Sequence, residues 1–116
     1  MDSILNSIKE LLGIPAEQVN FDTDVIMHIN SAFSDLYDIG VGPEQGFAIQ
    51  DDNDVWDDFL EGKINFENAK EYVYLSVKII FDPPASSSAL AAMERKLEKL
   101  EWKLNVKAET KQNGET

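Results

Sequence analysis

Apolar residues recur every three or four positions along most of this chain, and each such run predicts a helix. In the first, from Asp2 to Leu12, the residues Ile4, Leu5, Ile8, Leu11 and Leu12 share one face. Asp2 or Ser3 is placed to cap its start, Gly13 to close it in a left-handed turn, and Pro15 to block its continuation. A second run, Asp22 to Ile39, has Val25, Ile26, Ile29, Phe33, Leu36 and Tyr37 as its stripe, with Asp22 or Thr23 as the expected N-cap and Gly40 as terminator. Residues 40–53 read as a loop, because Gly40, Gly42, Pro43 and Gly46 are all turn formers. Within it, Phe47-Ala48-Ile49 suits either a very short strand or an extended anchor. Asp54 is the expected cap of a short helix carrying Val55, Trp56, Phe59 and Leu60 and ending at Gly62.

The run from about Asn65 to Phe81 is apolar nearly all round. Phe66, Ala69, Val73, Val77 and Ile80 make its stripe, and Tyr72, Leu75, Ile79 and Phe81 widen it. A helix of that kind belongs at the centre of the fold. Asp82-Pro83-Pro84 stops it. After the small-residue linker Ala85 to Ser88, Ser88 or a neighbour caps a last helix, about Ala89 to Asn105. Its Leu90, Met93, Leu97, Leu100 and Leu104 form a coiled-coil-like seam, too short for a true coiled coil. Together these runs predict an all-α fold in the main, a small bundle of four to five helices with a long loop at residues 40–53. One domain covers 1–105, followed by a flexible polar tail over 106–116.

Composition narrows the reading. The chain has 116 residues, 43% hydrophobic, and no cysteine, which suits one folded domain and removes disulfide frameworks and cysteine-based zinc sites. Neither a signal peptide nor an apolar stretch of membrane-spanning length is visible, so a soluble protein with no membrane partner is expected. The net charge of −12 is unevenly spread. Residues 21–62 hold eleven acids and neither Lys nor Arg, while the rest hold eleven acids and ten bases. That acidic middle repels phosphates, and suits a basic partner or a passage through which DNA slides without sticking; solubility alone is the plainer account.

Candidate chemistry is sparse. His28 is the single histidine and sits between apolar positions with no nucleophile motif around it. The acidic stretch Asp51, Asp52, Asp54, Asp57 and Asp58 fails the calcium-loop pattern: counted from Asp51, the glycine position is Trp56 and the final glutamate position is Gly62. No phosphate-cradling glycine loop and no marked carboxylate pair is present. The chain therefore reads as a non-enzyme with no catalytic, cofactor-binding or metal residues. The last helix instead sorts its charges. Glu94, Glu98 and Glu101 take one flank and Arg95, Lys99 and Lys103 another, with Trp102 just off the seam as an interface anchor. These seven are the candidate subunit-interface residues. The acidic loop, Asp51 to Asp58, is the candidate lumen-facing or partner-facing surface.

The stretch Val25-Ile26-Met27-His28-Ile29-Asn30-Ser31-Ala32-Phe33, then Gly40-Val41-Gly42-Pro43 with Gly46-Phe47, then the helix around Trp56, resembles small structural proteins of Firmicutes-type tailed phages. So do Tyr72-Val73-Tyr74-Leu75, Phe81-Asp82-Pro83-Pro84 and Leu100-Glu101-Trp102-Lys103-Leu104-Asn105. The family resembled is that of head–tail connector (adaptor) proteins, over roughly residues 4–105. The resemblance implies a helical bundle that forms a homo-oligomeric, typically dodecameric, ring beneath the portal protein and extends the DNA channel. It implies a platform for a downstream neck or tail protein, DNA passing through without sequence-specific binding, and a place in the virion neck after assembly in the bacterial host cytoplasm. Other neck roles, head completion or tail termination, remain alternatives. So does an acidic DNA-mimic inhibitor, which the acidic middle favours and the bases elsewhere oppose.

Overall fold

Five helices form among the described residues: α1 (Ile4–Leu12), α2 (Asp22–Asp38), α3 (Trp56–Leu60), α4 (Phe66–Phe81) and α5 (Ser87–Gly114). The structure, a computed structural model, describes residues 3–61 and 66–114, with the backbone alone at residues 66 and 107–114. Asp2, Gly62 and Asn65, read above as a cap, a helix end and a helix start, lie outside the described residues.

Helix ends follow local chemistry. Ser3 Oγ accepts from the Asn6 amide at 3.2 Å and opens α1. Gly13, at φ 82°, closes it, its own amide donating to Glu10 O and that of Ile14 to Lys9 O. α2 ends the same way: the Gly40 amide donates to Tyr37 O at 3.0 Å and that of Val41 to Leu36 O at 2.9 Å. Ser86 Oγ, accepting from the Ala89 amide, opens α5. Two expected caps are not formed. The N-cap of α2 is Phe21 rather than Asp22 or Thr23, and the N-cap of α3 is Val55 rather than Asp54. In each case the carboxylate has another donor: Asp22 takes the Lys9 ammonium at 2.7 Å, and Asp54 Oδ2 takes the Gln50 amide at 2.8 Å. A charge-assisted bond to a buried ammonium outcompetes one cap hydrogen bond.

Among the described residues Lys9 is the one buried charged side chain, at 1% exposure. Its three protons go to Ala16 O (3.1 Å), Gln18 O (2.7 Å) and Asp22 Oδ1 (2.7 Å), so it staples the α1–α2 connection from beneath. Residues 47–49 form an extended anchor and no strand. Ile49 is buried, and Asn30 on α2 satisfies both of its backbone groups, Nδ2 donating to Ile49 O at 3.0 Å and Oδ1 accepting from the Ile49 amide at 2.8 Å. An isolated antiparallel bridge, Ser3 with Val55, ties the start of α1 to the start of α3.

The loop is held down by aromatic rings. Phe33 meets Phe47 edge to face at 5.1 Å, Phe59 at 4.5 Å and Trp56 at 6.1 Å, and Trp56 Nε1 donates to Ser7 Oγ at 2.8 Å. Gly42, at φ 104°, passes directly over Phe59, where a Cβ would lie 2.6 Å from the ring. α4 packs on both α2 and α5, with α1 against α2 and α4, so the most apolar helix is indeed the shared one. The result is a slab of 46 × 35 × 19 Å, about two helices thick. α5 runs on past Asn105 to Gly114, longer than its leucine seam; Lys, Ala, Glu and Gln there are good helix formers.

Candidate assembly surfaces

The leucine seam orients α5. Leu100 and Leu104 are buried in the core, Met93 and Leu97 pack half-buried against it, and Leu90 is half-buried. Arg95, Lys99 and Lys103 are exposed on the far side. Trp102 lies with them at 65% exposure. This corrects its expected place beside the seam: two residues beyond Leu100 is a rotation of about 200°, which carries the indole to the outward face. Glu94, Glu98 and Glu101 are exposed on a separate flank.

One of these seven also has a partner within the chain. Glu101 lies beside the buried Tyr72 hydroxyl, whose pKa is pushed up to about 12. Burial is the main cause, the charges of Glu101 and Asp35 add to it, and a hydrogen bond from Ser76 works against it. Two further contacts tie α5 down. Asn105 Nδ2 donates to Ile39 O at 3.2 Å, and Lys96 meets Glu71 at 3.4 Å in an exposed pair that contributes little to stability.

Asp51 and Asp52 in the loop, and Asp57 and Asp58 in the first turn of α3, are exposed, and Asp54 is half-buried. The loop is organised by its own hydrogen bonds: besides the Gln50 contact, Asp51 Oδ1 accepts from the Asn53 amide at 2.8 Å. Among the described residues no group of three or more His, Cys, Asp or Glu is placed to hold a metal ion.

A second acidic surface was not singled out from the sequence. Asp24, Asp35 and Asp38 are exposed on α2, around Met27 at 57% and Tyr37 at 49% exposure. Tyr37 had been counted in the apolar stripe; it sits instead at the rim, beyond Leu36. The signal is present in the sequence, since Asp24, Met27, Ser31 and Asp38 share one helical face. His28 lies half-buried with its ring 6.3 Å from Phe81, which also meets Phe21 edge to face at 5.6 Å.

The structure thus defines a small all-α protein whose charges are sorted onto separate outer helix faces. The model of the phage connector protein family matches residues 4–111, and the chain belongs to that family. Among curated proteins and among solved structures no significant match is found. No helix among the described residues is long and apolar enough to cross a membrane.

Proposed function

We propose that this chain is a structural, non-catalytic head–tail connector subunit that closes into a homo-oligomeric ring under the portal protein in the phage neck. The observation that carries the reading is the connector-family match over residues 4–111. The ring, dodecameric by resemblance, continues the DNA channel and gives the next neck or tail protein a platform. It assembles in the host cytoplasm and ends in the virion. The work is geometric: a rigid slab presents fixed faces to its neighbours, and DNA passes without sequence-specific contact. The exposed α5 residues serve the contact between subunits. The acidic loop from Asp51 to Asp58 faces the lumen or a partner, where its charge keeps phosphates from sticking. The tail over 106–116 docks on the portal.

The test is the mass of the purified chain by light scattering, alone and with its portal. A closed ring, or a monomer that assembles on the portal, is the expected result. A monomer that ignores the portal overturns the reading. Deleting residues 106–116 is expected to weaken portal binding, and unchanged binding removes the tail from this account.

A further inference from the structure

We propose that the basic outer face of α5 in one copy docks on the acidic outer face of α2 in the next. The inference rests on the ring reading and names the two surfaces that would make its joint.

The argument begins with charge. Arg95, Lys99 and Lys103 stand exposed on α5, and Asp24, Asp35 and Asp38 on α2, within a stretch from 21 to 62 that has no Lys or Arg. Each face also exposes large apolar side chains among its charges: Trp102 and Val106 on α5, Met27 and Tyr37 on α2. Apolar anchors rimmed by charge are the make-up of a specific interface rather than of a merely solvated helix. Lengths agree as well. Asp24 to Asp38 spans about 21 Å of helix and Arg95 to Val106 about 17 Å.

Placement decides the symmetry. α2 and α5 both pack on α4, and both faces are exposed. A two-fold dimer through α5 would set basic face on basic face. A head-to-tail contact sets basic on acidic and leaves one free face of each kind to continue the series, which is what a ring requires.

The test uses whole chains with reversed faces. Arg95→Glu/Lys99→Glu/Lys103→Glu and Asp24→Lys/Asp38→Lys alter exposed side chains, and circular dichroism checks that each still folds. Each alone is expected to self-associate more weakly by about tenfold or more, since like charges then meet. An equimolar mixture of the two is expected to recover assembly, because each reversed face finds its complement. A second measurement uses the absence of native cysteine: Lys99→Cys in one copy and Ser31→Cys in another are expected to form a disulfide-linked pair on mixing. If the wild type assembles but the mixture does not recover and no link forms, the inference is overturned while the ring reading stands. If the wild type stays monomeric even with its portal and no link forms, both fall; a link without a ring, alone or on the portal, keeps the joint and removes the ring. Rescue of the α5 variant by Glu94→Lys/Glu98→Lys instead would make α5 its own mate and overturn the inference. So would an α5 variant that assembles normally but loses salt-sensitive retention of duplex DNA, which would mark a nucleic-acid surface.

Discussion

The two tryptophans of this chain occupy opposite environments. Trp56 is 3% exposed, wedged against Phe33 and Phe59 with its indole N–H on Ser7. Trp102 is 65% exposed on the outer face of the longest helix. α3 is five residues long, well short of what stands alone in water, so it exists because its two aromatic rings are gripped by the core. α5 is held by its leucine seam and has no structural need of Trp102. The same residue type is a keystone in one place and an unclaimed surface in the other.

The largest effect should come from the keystone. Trp56→Ala removes the indole from between α1 and α2 and leaves Ser7 without its donor; we expect a loss of about 3–5 kcal/mol in denaturant unfolding. A loss under about 1 kcal/mol would mean that the corner collapses around the gap and that the contrast between the two sites is overstated.

Lys9 comes next. Lys9→Met keeps the buried stem but strips the ammonium from Ala16 O, Gln18 O and Asp22. We expect a cost of about 1–3 kcal/mol, moderated because Asp22 is partly exposed and water recovers some of its hydrogen bonding. Raised amide exchange over residues 14–21 should accompany it; unchanged exchange would show that the connection holds without its staple.

These cases show why some of the structure was legible and some was not. Helix positions follow from apolar spacing, which records only which side of a helix is dry. The glycine closures at Gly13 and Gly40 follow from backbone sterics, equally local. Lys9 and Asn30 escaped notice because their partners lie 7 to 19 residues away, and no periodicity encodes a side chain that satisfies a distant backbone. Asp22 was misread as a cap for the same reason: a local donor was assumed where a remote one wins; Asp54 turns the other way along the chain, to the Gln50 amide four residues before it. On α5 the sorted charges were legible from spacing, and the face of Trp102 was legible too, had the rotation from Leu100 been counted through.

Tyr72 links the buried and exposed regions, since its hydroxyl joins the core to Glu101. Its folded-state pKa is raised from 10 to about 12. The unfolded chain therefore releases this proton first as pH rises, so stability is intact below pH 10 and falls as pH climbs from 10 to about 12. Tyr72→Phe should lose about 0.5–1.5 kcal/mol at pH 7 with the hydroxyl's hydrogen bonds, and should flatten that alkaline decline relative to the wild type. Parallel alkaline curves for the two proteins would rule out Tyr72 as the titrating group.

Trp102→Ala should have the smallest effect on the isolated fold, within about 0.5 kcal/mol of wild type, because the side chain lies mostly in water and its helix is anchored elsewhere. Its consequence belongs to assembly. An aromatic anchor central to a joint between copies dominates the affinity of that joint, so the variant should unfold like the wild type yet self-associate more weakly by about tenfold or more. Measured together, the two quantities separate the roles. A stability loss above about 1 kcal/mol would make Trp102 a second structural tryptophan and erase the comparison. Unchanged stability with unchanged assembly would leave the indole exposed without a partner, and the joint would have to be sought on another face.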